Sequence, residues 1–261
     1  PVFDDEGLTP ETTYLYEVSA VNGDGLESTR GGPAGATTPP DDSGPGDGDI
    51  VGHWRFDEGS GTVAADASGN GNLGTLMNGP IWVPGYSGTA LSFDGIDDYV
   101  LVPDDDALNM VADFTISVWV KWSGANADAD ILRKGSAGTS VAHYKIELKD
   151  NRLKVRLVGI QRSTVLSDNQ TGRGDGVWHN VVVTREGTVS RLYIDGALIA
   201  SSNTNVGDMS NSANLAFGAK DTGTSDFFRG SIDDIRFYSR ALSAQEIGNL
   251  GAMPMLVRGS N

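Results

Sequence analysis

The chain has 261 residues, of which 38% are apolar and 35 are glycine, and its 19 basic and 35 acidic side chains give a net charge of −16. Apolar content below the roughly 45–50% of an average domain, with glycine well above the usual ~7%, disfavours a helical bundle and suits short strands joined by tight turns. The acidity argues against nucleic-acid binding, no apolar run reaches the ~18 residues of a membrane span, and the absence of cysteine removes disulfides, thiolate zinc sites and cysteine nucleophiles.

Residues 1–39 read as strand, turn, strand. Tyr14, Tyr16, Val18 and Ala20 alternate with Leu15, Glu17 and Ser19, the period of a half-buried strand. Asn22-Gly23-Asp24-Gly25 marks a tight turn. Residues 7–22, with Leu8-Thr9-Pro10 ahead of Tyr14, resemble the last third of a fibronectin type III domain, and the resemblance makes Tyr14 the tyrosine corner. Two or three strands bury too little to fold alone, so this piece is expected to be the end of a truncated domain or to dock on the rest. Residues 40–49 hold Pro, Gly, Ser and Asp and no apolar side chain, and are expected to be a solvated linker.

Residues 50–250 carry short alternating runs between Gly, Asn and Asp clusters, the pattern of an all-β, antiparallel two-sheet sandwich. The clearest strand is 114–122. There Phe114, Ile116, Val118 and Val120 share one face, while Thr115, Ser117, Trp119 and Lys121 share the other. Further strands are expected at 144–148, 153–158, 180–185, 190–194 and 231–238, with a hairpin turn at Asp195-Gly196. Ser243-Ala244-Gln245-Glu246 is a capping box that starts the one convincing helix. Residues 251–261 have no period and read as a tail.

Seven segments in order carry a resemblance. Among them are Gly52-His53-Trp54-Arg55-Phe56-Asp57-Glu58-Gly59, Asp66-Ala67-Ser68-Gly69-Asn70-Gly71-Asn72 and Phe93-Asp94-Gly95-Ile96-Asp97-Asp98-Tyr99-Val100. Later come Asp175-Gly176-Val177-Trp178-His179 and Ser231-Ile232-Asp233-Asp234-Ile235-Arg236-Phe237-Tyr238. They resemble the laminin-G-like, concanavalin A-like lectin family. The resemblance implies a jelly-roll sandwich, an accessory module of a secreted or cell-surface protein, and a partner catalytic or surface domain in the same parent chain. Fold alone does not fix function, so the sites are argued separately.

Asp66, Ser68, Asn70 and Asn72 set oxygens at alternate positions of a glycine-rich loop, a spacing that suits Ca²⁺ and equally an ordinary Asx turn. The resemblance adds a structural calcium held between Asp66, Asn70, Asn72 and the last-strand Asp234, with the Thr75 carbonyl and Asp57 as helpers. No paired glutamates mark a glucanase active site, and His53, His143 and His179 are dispersed. A lyase-type pair of His143 and Tyr144 is the third reading, after lectin and adhesion spacer.

Sugar modules stack rings on aromatics and bracket hydroxyls with polar groups. Trp54, Trp119 and Trp178 fall in scaffold motifs and are read as core or sheet-packing residues. Trp122, Tyr144 and Phe227 are read as ligand aromatics. Lys145, Lys154, Arg156, Arg191 and Tyr193 alternate with apolar neighbours and form either a candidate basic strip for an anionic polysaccharide or an exposed sheet face that carries charge for solubility. The expected function is therefore non-catalytic carbohydrate binding, stabilised by calcium.

Overall fold

Strict alternation and positive-φ turn residues build the fold in the computed structural model, which describes residues 13–16, 19, 21, 23–29, 34–37, 47–124, 128–135, 143–170, 172–220 and 223–251. The chain divides into two units, Pro1–Gly44 and Pro45–Asn261. In the first, β1 (Thr13–Tyr16) and β2 (Ala34–Thr37) pair antiparallel, and a turn at Gly23 and Asp24 lies inside a bridge between Val21 and Glu27. The Tyr14 side chain, and with it the tyrosine-corner reading, lies outside the described residues.

The second unit is a two-sheet sandwich. Its strands are β3 (Ile50–Trp54), β4 (Val63–Ala64), β5 (Gly74–Met77), β6 (Ile81–Pro84), β7 (Thr89–Asp94) and β8 (Tyr99–Val102). They continue as β9 (Phe114–Ser123), β10 (Ala129–Lys134), β11 (His143–Lys149), β12 (Arg152–Val158) and β13 (Ser163–Ser167). The last are β14 (Asp175–Glu186), β15 (Val189–Ile194), β16 (Ala197–Ser202), β17 (Leu215–Phe217) and β18 (Arg229–Tyr238). One sheet runs β13-β12-β11-β10-β17-β8-β5-β4. The other runs β16-β15-β14-β9-β18-β7-β6, with β3 also paired to β18. Every pairing is antiparallel, the expected jelly-roll class.

The turns follow from their residues. Asp150-Asn151 and Asp195-Gly196 both adopt positive φ, the conformation that a two-residue hairpin requires for its twist. The linker ends earlier than the composition suggests. Residues 47–49 form a 3₁₀ turn, the Asp49 carbonyl accepts from Ser239 N at 2.9 Å, and its carboxylate meets Arg240 at 2.6 Å. The helix α1 (Ala244–Gly251) starts with the expected box. Ser243 N donates to Glu246 Oε2 at 2.7 Å and Glu246 N donates back to Ser243 Oγ at 3.3 Å.

The core lies between the sheets. On β9, Phe114, Ile116, Val118, Val120 and Trp122 enter it. A second, smaller cluster forms on the outer face of the second sheet, where Leu242, Ile247 and Leu250 cover Val182, Tyr193 and Tyr238. The helix thereby covers one part of that face and leaves Trp119 and Lys121 of β9 outside the apolar cluster.

Candidate functional site

The site is built on an irregularity in β18. Arg229–Ile232 pair with β7, whereas Ile235–Tyr238 pair with β3. Between these halves the register with β9 shifts, and Asp234 takes φ of 42°. Such a bulge re-aims side chains, here Asp233 and Asp234.

Asp233 is fully buried. Its Oδ2 accepts from Tyr86 N at 2.8 Å and Ser87 N at 3.2 Å, and its Oδ1 accepts from Asp234 N at 2.8 Å. Asp57 Oδ1 accepts from Thr89 N at 3.0 Å. Two carboxylates thus hold the β6–β7 turn by its backbone. Glycine is required at both ends: a Cβ on Gly85 would stand 2.6 Å from Asp233 Oδ2, and one on Gly88 (φ +63°) 2.0 Å from Asp57 Oδ1. The turn lays Tyr86 on Trp119 with ring centroids 3.5 Å apart and planes 12° from parallel. Such a pair contributes about 0.5–1.5 kcal/mol beyond its buried area.

Electrostatics separate the two bulge acids. Burial, reinforced by the Asp234 charge, lifts Asp233 to about 7 against the pull of its amide donors. Burial also raises Asp234, but the His53 hydrogen bond at 2.8 Å and the Arg236 guanidinium at 2.9 Å outweigh it and hold that carboxyl below its ordinary value.

Along β9 from Trp119 the next outward residue is Lys121. Its Nζ lies 4.7 Å from the centre of the half-buried Trp178 ring. Among the described residues no carboxylate stands within ion-pair distance of it. Trp178 follows a register shift at the start of β14, and His179 fixes that end. The His179 ring donates from Nδ1 to Asp195 at 2.8 Å, and its Nε2 lies 3.4 Å from Asp175.

The Asp195 hydrogen bond raises the His179 pKa above its ordinary 6.5, despite burial. Its stabilisation is therefore complete below the unfolded value and is lost as pH rises through the folded one. His179→Gln is expected to lower the urea midpoint most near pH ~5.5, with the gap to the parent protein narrowing toward pH ~8.5. An equal gap at both pH values would show that the charge is not what matters.

Among the described residues, three cavities open on this face. The first, of about 360 Å³, is bordered by Arg55, Asp57, Asp233 and Arg236. The second, of about 750 Å³, is bordered by Val177, Trp178 and Asp195. The third, of about 850 Å³, is bordered by Asp94, Trp122 and Ser123. Tyr86, Ser87 and Trp119 border both the first and second; Lys121 and Gly176 border both the second and third.

Of the residues singled out from sequence, Asp57 and Asp234 border the first cavity and Trp122 the third, and the others fall elsewhere. Asp66 is a turn anchor: Oδ1 accepts from His53 N and Ser68 N, and Oδ2 from Asn72 N, each at 2.9 Å. Burial raises its carboxyl, but the Ser68 side chain together with those amides outweighs it and holds the group low. Asn70 and Asn72 point their amide nitrogens at the Val51 carbonyl, at 3.2 and 3.1 Å. Thr75 lies in β5, paired with Val63 and Leu101. With Asp57 serving the Thr89 amide and Asp234 serving His53 and Arg236, these carboxylates face N–H donors. The set as folded does not fit a calcium ion. Among the described residues, Asp94, Asp97 and Asp98 form the acidic group whose ligand atoms lie within 4.8 Å of one another.

The ligand candidates are corrected similarly. Tyr144 is a core residue whose hydroxyl donates to the Leu108 carbonyl at 2.9 Å. His143 precedes it on β11, so the two side chains leave opposite faces and form no catalytic pair. Lys145 is paired with Asp130 and Glu147, Lys154 with Asp150, and Arg156 with Glu147. These three lie on β11 and β12 of one sheet, whereas Arg191, paired with Glu186, and Tyr193, under α1, lie on β15 of the other. The basic strip is therefore split and neutralised. Phe227 is half-buried before β18, and Trp122 is a core residue at the edge of the third cavity.

Comparison with known proteins bears on the fold. A family model described as the concanavalin A-like lectin/glucanases superfamily (Laminin_G_3) matches residues 94–248. The binding domain of Paraclostridial Mosquitocidal Protein 1 is similar with a TM-score of 0.66 and 20% identity, over 78% of this chain and 52% of that one. Domain 4 of AbnA, a GH43 extracellular arabinanase from Geobacillus stearothermophilus solved with arabinotriose, is similar with a TM-score of 0.61 and 19% identity, over 78% of this chain and 98% of that one. In sequence, 154 residues are 24% identical to the adhesion G-protein coupled receptor V1 of Danio rerio, covering 56% of this chain and 2% of the receptor.

Proposed function

Because this chain belongs to the concanavalin A-like lectin/glucanases superfamily, we propose that its sandwich is a non-catalytic carbohydrate-binding module of an extracellular protein, with the face around Tyr86, Lys121 and Trp178 as its binding surface. The observation that carries this reading is the convergence of aromatic rings and polar groups on open cavities of the second sheet. Pyranose faces stack on such rings, and the surrounding side chains bracket hydroxyls. The solved arabinanase domain, which holds arabinotriose, supports the ligand class.

The acids here serve structure rather than chemistry. Asp233, lifted to about 7, has both oxygens tied to backbone amides and no exposed surface from which to protonate a leaving group. Asp234 is tied to His53 and Arg236. Neither is positioned as a free general acid or nucleophile.

Lys121 gives the face a cation without a carboxylate partner among the described residues, and this supports an acidic polysaccharide over a neutral one as the proposed ligand. The test is a panel of neutral and acidic polysaccharides offered to the chain at two salt concentrations. Lys121→Gln is expected to weaken polygalacturonate binding about three- to tenfold, flatten its salt dependence and leave neutral chains unaffected. Failure of the folded protein to retain any glycan would remove the lectin reading and favour an adhesion spacer.

A further inference from the structure

The three cavities are not scattered. Each is bordered by an outward residue of β9: Trp119 borders the first and second, Lys121 the second and third, and Ser123 the third. Outward residues of a strand recur every two positions, about 6.6–6.8 Å apart, so Trp119 to Ser123 spans about 13 Å. The shared borders make one groove of three compartments that follows the strand. Each volume lies within the roughly 300–1,000 Å³ of ordinary ligand pockets.

Resting on the glycan reading above, we infer that this face grips an internal stretch of a linear polysaccharide, laid along β9 through all three compartments, rather than the end of a chain. A site for a chain terminus needs one enclosed pocket whose polar groups fix a single ring. Here the aromatic and cationic groups stand at the divides. The Tyr86–Trp119 stack lies between the first and second compartments, and Lys121, over the Trp178 ring of the second, lies between the second and third. A ligand that touches both divides must extend across the middle compartment. The polar ends differ: two guanidinium groups, Arg55 and Arg236, stand with Asp57 at one, and a single one, Arg229, stands with Asp94 and Ser123 at the other. A linear chain with unlike ends therefore has a preferred direction.

The test is a length series of oligogalacturonates from monomer to hexamer, titrated calorimetrically against the chain. Affinity is expected to rise by about tenfold or more between monomer and trimer, then level off, and to be indifferent to reduction of the chain end. Ser123→Leu fills the third compartment at an exposed strand end. It is expected to remove the step in affinity between dimer and trimer, and an unchanged step would overturn the third compartment. Equal binding of monomer and hexamer, or loss of binding on end modification, would overturn the groove while leaving the glycan reading in place. No binding at any length, with the fold intact, would overturn both.

Discussion

Alanine at position 86 is expected to leave the sandwich folded and to weaken glycan binding about thirtyfold, or about 2 kcal/mol. The two effects separate because the turn is held by backbone, not by the ring. Asp233 takes the amides of residues 86 and 87, and Asp57 takes that of Thr89. Tyr86→Ala keeps these bonds and removes the aromatic surface shared by the first two cavities. It also uncovers Trp119, now only 5% exposed. Calorimetric titration gives the affinity, a urea melt gives the stability, and a red shift of tryptophan emission reports the uncovered indole. Unchanged affinity would move the ligand off this face. A collapse of stability would mean that the stack, rather than the two carboxylates, holds the turn.

Trp54→Ala is expected to have the largest effect on stability, about 3–5 kcal/mol, a large part of the ~5–15 kcal/mol that keeps a domain folded. The Trp54 ring is fully buried. It meets Phe217 of the opposite sheet edge-on at 5.0 Å and Phe237 of its own sheet at 5.7 Å. Its indole N–H donates to the Asn72 carbonyl at 2.8 Å, tying the 66–72 loop to the core. Gly52 lies against the ring, where a Cβ would approach to 2.7 Å, and itself offers no side chain to fill the void. Trp54→Phe keeps much of the packing and drops the hydrogen bond, for a smaller cost of about 1–3 kcal/mol. Urea unfolding of both variants checks the order. A Trp54→Ala midpoint near that of the parent protein would contradict this packing.

The fold was legible because its signals are local. The alternation in 114–122 names the inward and outward faces of β9, Asp195-Gly196 closes the β15–β16 hairpin, and Ser243 with Glu246 starts the helix. The groove depends on contacts that no local pattern encodes. Tyr86 stands over Trp119 because Asp233, 147 positions away, holds its turn. The available hint was Gly85-Tyr86-Ser87-Gly88, an aromatic residue framed by two glycines. The parity of β9 already set Trp119 and Lys121 on the outward face, yet motif membership assigned Trp119 and Trp178 to packing. The basic strip failed for the opposite reason. Alternation placed Lys145 and Arg156 on an outward face, but it does not reveal that Asp130 and Glu147 stand beside them and cancel their charge.

The parity of β9 also divides what selection can act on. Its even positions build the sandwich. Of its odd positions, Thr115 bonds Arg240 and Leu242 at the seat of the helix, and Ser117 accepts from Asn180. Trp119, Lys121 and Ser123 contribute nothing to the inter-sheet core. On the proposed reading of the groove, substitution at these three positions redirects it toward a different polymer while the hydrophobic layer on the reverse of the same strand stays intact. A lineage can therefore change its ligand without first acquiring a more stable scaffold.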